Sequence, residues 1–83
     1  MAKKGTHRDD DLHRILAENV RRLRLKTGLT QKQLSRRCRL RHSYVGRLET
    51  TTARNPGLDS IVKVAKGLGV TVLALLTRRH DES

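Results

Sequence analysis

The chain has no Trp, no Phe, a single Tyr and a single Cys among its 83 residues. Without aromatic bulk, a core has to be assembled from Leu, Val, Ile and Ala, and the abundance of Leu and Ala favours helices over strands. One cysteine excludes an internal disulfide and fits a reducing compartment, with cytoplasm as the expected location. The longest apolar run, around VTVLALL, is far too short to span a bilayer. The N-terminus, with its two lysines, continues as GTHRDDD where a signal peptide needs an apolar stretch. A membrane partner is therefore not expected.

Acidic residues are also scarce where it matters. From Asn19 to Arg54 there are eleven basic residues and one acid, Glu49, while the whole chain carries a formal net charge of +11. A solvated surface without function more often interleaves the two signs, so a polyanion is the expected partner. Chemistry finds no support. The four histidines and Cys38 lack metal-ligand spacing, no glycine-rich phosphate loop follows a strand, and no carboxylate pair is placed for acid and base work. Neither an enzyme, a metal site, a cofactor nor a small-molecule ligand is expected.

Periodicity gives an all-α, compact five-helix domain over residues 12–79, between an N-terminal arm (1–11) expected to be mobile and a polar tail (80–83). Leu12, Leu16, Val20 and Leu23 fall on one helical face, and Gly28 ends that helix. Thr30 followed by Gln33 is a capping box, so a short second helix spans about 31–38 with Leu34 and Cys38 inward. A third helix follows at about 42–49. TTTARNPG marks a loop, and Leu58, Ile61, Val62, Ala65 and Leu68 then define a fourth helix that stops at the GLG of 67–69. A fifth runs from about Thr71 to Arg79.

The third helix, RHSYVGRLE, carries the sharpest signal. With Val45 at the centre of its inner side, Leu48, Glu49 and Arg41 lie nearby, Ser43 and Arg47 point outward, and Tyr44 and Gly46 flank them. His42 sits at the N-terminal end. Two short helices joined by a tight turn outline a helix-turn-helix, whose second helix reads base edges in the major groove. Arg47 is the strongest candidate reader, because a guanidinium can bond both O6 and N7 of one guanine. His42, Ser43 and Tyr44 complete the readout set. Gly46 costs the helix up to about 1 kcal/mol, which suggests close approach of a backbone or a phosphate.

The segments VRRLRLKTGLTQKQLS, SYVGRLE and, after a loop ending in NPG, LDSIVKVAKGLGV together resemble the Cro and phage-repressor type of helix-turn-helix domain, the Xre-like family, over about residues 16–77. RHSYVGRLE, with no effector domain beside it, looks most like the small controller proteins of restriction-modification systems. The resemblance implies a lambda-repressor-like fold and a double-stranded DNA partner. It also implies a phosphate contact at Gln31, base readers at His42, Ser43 and Arg47, and a structural ion pair between Arg24 and Glu49. Lys32, Arg36, Arg37 and Arg54 are further candidates for phosphate contact, since the second helix crosses the DNA backbone in this architecture.

Two positions depart from the family pattern. Arg39 replaces the usual turn glycine, which strains a left-handed conformation by about 1 kcal/mol or more. Arg41 replaces a capping Ser, Thr or Asp, which removes a bond of typically about 1 kcal/mol. Both add charge, and phosphate contact is the favoured reading for each. Leu73 and Leu76, spaced i and i+3, form a partly separate apolar edge and a candidate homodimer interface. The expected function is sequence-specific regulation from a palindromic operator. A nonspecific nucleic-acid binder and an antitoxin-type protein module stay open as alternatives.

Overall fold

The computed structural model describes residues 2–41, 43–50 and 56–78, with side chains from Leu12 onward. Among these residues the chain forms α1 (Ala2–Thr27), α2 (Gln31–Arg37), α3 (Tyr44–Glu49), α4 (Leu58–Leu68) and α5 (Val72–Leu76), and no strand. Helices α3, α4 and α5 pack on α1, and α2 lies against α3 and α4. The core is aliphatic as the composition requires: Val20, Leu34, Val45, Val64 and Leu75 are fully buried, and Leu16, Leu48 and Leu68 nearly so.

α1 starts at Ala2, where the sequence predicts a mobile arm and a helix beginning at Leu12. The apolar repeat marks only the packed part of the helix, and Leu12 itself is 44% exposed. Upstream of the packed turns, each added residue gains a backbone hydrogen bond on an existing nucleus. Ala2, Lys3, Lys4 and Arg8 are good helix formers.

α4 occupies its expected span, but its inner face is rotated. Ile61, Val64, Ala65 and Leu68 are buried, whereas Leu58 is exposed and Val62 half-buried. At 100° per residue the buried set centres on Ile61 and Leu68, which leaves Val62 about 100° away and brings Val64 in.

α5 is shorter than expected because both ends are closed from outside its ladder. Thr71 Oγ1 accepts from the Ala74 amide at 3.0 Å. The Asn19 side-chain amide, buried on α1, donates to the carbonyls of Leu75 at 2.8 Å, Thr77 at 3.0 Å and Ala74 at 3.3 Å. The Ala74 and Leu75 carbonyls would otherwise accept from the next turn of helix. Arg22 Nη2 donates to Asn19 Oδ1 at 3.0 Å and orients the amide.

Three helices end in the same way. After α1, Gly28 N–H donates to the Leu25 carbonyl and Leu29 N–H to the Arg24 carbonyl; after α4, Gly69 and Val70 repeat the pattern onto Lys66 and Ala65. After α2 the same two bonds run from Arg39 to Arg36 and from Leu40 to Ser35. Each turn needs a left-handed residue, with φ of 78° at Gly28, 74° at Gly69 and 60° at Arg39.

Candidate nucleic-acid interface

The start of α2 is held by its own capping box. Thr30 Oγ1 accepts from the Gln33 amide at 3.0 Å, and Gln33 Oε1 accepts from the Thr30 amide at 2.8 Å. That fixes Gln31 as the first helical residue and turns its side chain toward α3, where Nε2 donates to Glu49 Oε1 at 2.9 Å. Gln31 Oε1 lies over Gly46, 2.9 Å from where a Cβ would stand. The sequence suggests a backbone or phosphate beside Gly46, but the neighbour is this glutamine.

Glu49 joins three helices. Arg24 Nε donates to Glu49 Oε2 at 2.6 Å and Nη2 to Oε1 at 3.1 Å, while Nη1 donates to the Leu29 carbonyl at 2.8 Å. The two side chains are 10% and 1% exposed, so the pair is a buried, two-pronged ion pair. It ties α1 to α3, and the Gln31 amide adds α2. One N–H of that amide is left over after the bond to Glu49.

The N-terminus of α3 does not lose a capping bond to Arg41. Ser43 makes no side-chain cap, but the Val45 amide donates to Ser35 Oγ at 3.2 Å, and Ser35 is completely buried on α2. The Tyr44 amide donates to the Arg41 carbonyl at 2.8 Å. A side chain ten positions upstream thus replaces the local cap, a relation that no local pattern encodes.

On α3, Val45 and Leu48 are buried while Arg47, and Ser43 at the N-cap, are exposed. Tyr44 departs from its expected place among the base readers. Its ring packs against the core and its hydroxyl is buried without a hydrogen-bond partner. Burial of the phenol takes it off the outward face. His42 and Arg54 lie outside the described residues.

Lys32, Arg36, Arg37, Arg39 and Arg41 are all exposed around α2 and the turn that follows. Arg37 Nη1 also reaches the Gly67 carbonyl at 3.4 Å. Beneath them Cys38 is buried, and a Cβ on Gly67 would collide with its Sγ, so α2 and α4 are packed with no room for a larger residue. Burial pushes the Cys38 thiol up, against the opposing influence of the Arg37 charge and a hydrogen bond from the Gly67 backbone. A thiol held protonated is a packing group and not a nucleophile. Among the described residues no cluster of His, Cys, Asp and Glu could hold a metal ion, and no helix is long and apolar enough to cross a membrane.

Along α5, Leu75 is buried and Val72 and Leu76 pack on the core, as does Val70 just before the helix. Leu73 stands apart at 73% exposed. The expected two-leucine edge is therefore carried by Leu73, with Leu76 half inside. Sequence reasoning passed over Asn19, Ser35, Lys63 and Lys66. Asn19 left a trace, as a polar residue inside the apolar stripe between Leu16 and Leu23. Ser35 left none.

The helix-turn-helix family model matches residues 20–75. Control protein C.SmaI of Serratia marcescens is 41% identical over 69 residues, which cover 83% of this chain and 81% of that protein. Control protein C.BamHI of Bacillus amyloliquefaciens is 35% identical over 68 residues, 81% of this chain and 83% of that protein. Among solved structures, the hypothetical transcription factor NHTF from Neisseria matches with a TM-score of 0.81 at 36% identity, over 88% of this chain and 83% of that one.

Proposed function

Because the chain belongs to the helix-turn-helix family and is a DNA-binding transcription regulator rather than an enzyme, we propose that it acts as a homodimer on a palindromic operator, with α3 in the major groove. The observation that carries this reading is the division of α3. Its inner side is committed to Ser35, Arg24 and Gln31, while Ser43 and Arg47 stand exposed.

In this reading Arg47 takes the O6 and N7 atoms of a guanine, and Ser43 and His42 read neighbouring base edges. The remaining amide hydrogen of Gln31, held in place by Glu49, donates to a phosphate. Lys32, Arg36, Arg37, Arg39, Arg41 and Arg54 add charge along the DNA backbone, which supplies affinity but little sequence choice. Exposed Leu73 supports a dimer through α5, which sets two α3 helices about 34 Å apart, one turn of duplex. The relatives named as control proteins favour a controller role, and a single free thiol fits the cytoplasm.

Selection from a random duplex pool at about 0.15 M salt, where nonspecific binding is weakened, tests the operator directly. An enriched inverted repeat is expected. Repeating the selection with Arg47→Ala should flatten preference at one base pair per half-site, a discrimination of about 1–3 kcal/mol; a pattern identical to that of the parent chain removes Arg47 as a reader. Leu73→Glu should sediment as a folded monomer. A folded dimer in that run moves the interface off α5.

A further inference from the structure

Between the end of α2 and the second half of α4 lies an open cleft of about 720 Å³. Arg37, Arg39, Lys63 and Lys66 line it, and no carboxylate does. All four side chains are exposed. Lys63 and Lys66, spaced i and i+3, share one side of α4, and the tight packing of Gly67 on Cys38 brings that side against the end of α2. Among the described residues none of the four pairs with an acid, and the only hydrogen bond that their charged ends make is from Arg37 to the Gly67 carbonyl.

Cations near helix C-termini have an ordinary explanation, since each helix end carries about half a negative charge. Here α2 and α4 both end at the cleft. Together they offset about one of the four positive charges, leaving about three. One of the four, Arg39, occupies a left-handed turn position that glycine fills at the end of α1 and of α4. A strained residue has therefore been placed where it adds to a field that is already positive.

We propose that this cleft is a phosphate-binding site. The phosphates assigned above to Arg37 and Arg39 are gathered here together with Lys63 and Lys66, which belong to no groove contact. The planar guanidinium groups suit the paired oxygens of a phosphate, and the two ammonium groups neutralise its charge. The volume admits a di- or triphosphate chain. The site is separate from the contact at Gln31, which stands at the other end of α2, seven residues or about 10 Å away along the axis. Two sources of the same chemistry fit: a backbone phosphate of DNA beyond the half-site, or a free nucleoside polyphosphate.

The test uses the full chain, inorganic tripolyphosphate and the variant Lys63→Gln/Lys66→Gln, whose positions are exposed. Titration followed by amide resonances should give saturable shifts centred on Cys38, Arg39 and residues 66–69, weakened at least tenfold in the variant. A second arm measures the salt dependence of duplex binding, where each lost phosphate contact lowers the logarithmic slope by about 0.9. A slope reduced by one to two in the variant assigns the cleft to the DNA backbone, whether or not tripolyphosphate saturates it. An unchanged slope with saturable, cleft-centred tripolyphosphate binding assigns a free polyphosphate. An unchanged slope together with shifts that are absent, scattered over other basic residues, or equally strong in the variant overturns the proposal. The first arm needs no operator, so its failure is distinguishable from failure of the groove reading.

Discussion

The two ends of α2 are built by opposite rules. At its start the polar side chains hold one another in place. Thr30 and Gln33 cap each other, and Gln31 is fastened to Glu49, which is itself fastened to Arg24. At its end the backbone is closed by the two bonds that also end α1 and α4, but an arginine at φ 60° stands where those turns have glycine. Three further cations surround it. The start obeys local preference and positions one neutral amide; the end violates local preference and concentrates charge. Departures of that kind gather at functional sites, where other interactions compensate for the strain.

The matched end is the part of this contrast that is easiest to break. Glu49→Ala should have the largest effect, because it leaves a buried guanidinium without its carboxylate and frees Gln31 at the same time. Losing one partner of a buried pair costs about 3–5 kcal/mol. The Leu29 carbonyl retains one bond to Arg24, so about 3 kcal/mol is expected, read as a large drop in thermal midpoint. A midpoint lowered by only a few degrees would mean that water reaches Arg24 and that the ion pair does not hold α1 to α3. Thr30→Ala is the milder break at the same end. It removes half of an exposed capping box and should cost about 1 kcal/mol, with duplex affinity lowered only as far as Gln31 loses its register. If stability falls by that amount while affinity is unchanged, Gln31 is held by Glu49 alone.

The same contrast separates what could be read in the sequence from what could not. The capping box, the stops at Gly28 and Gly69 and the inner and outer sides of α3 follow from residue types at short spacing, whereas the left-handed strain at Arg39 comes from the resemblance to a family that carries glycine there. The bonds from Ser35 to α3 and from Asn19 to α5 cross 10 and more than 50 positions. No period of 3.6 residues carries such information, and it appears only when helices are packed. Gly46 shows both sides of the limit. Its cost to the helix signals a close neighbour, but not that the neighbour is Gln31. Tyr44 sits on the flank of the helical wheel, which does not say whether a large ring turns toward solvent or, as here, onto the core. The cleft lay hidden for a further reason: Arg37 and Arg39 stand out in a basic run, whereas Lys63 and Lys66 read as the solvated face of an amphipathic helix.

Arg39→Gly tests the unmatched end and has the smallest effect on stability, with a sign that separates it from the others. Removing the Cβ relieves about 1–2 kcal/mol of left-handed strain. Glycine returns about 0.5–1 kcal/mol of that through the greater freedom of its unfolded chain. The net expectation is a gain between zero and about 1.5 kcal/mol, or a thermal midpoint a few degrees higher. Binding should move the other way, with the salt slope for duplex DNA or the affinity for tripolyphosphate reduced by the loss of one cation. Arg39→Lys keeps both strain and charge, so it should leave stability near that of the parent and retain most of the binding. A variant that is more stable and binds as well as the parent would make Arg39 an ordinary surface residue. A variant that is more stable and binds less well shows stability exchanged for an anion contact, which is what distinguishes the second end of α2 from the first.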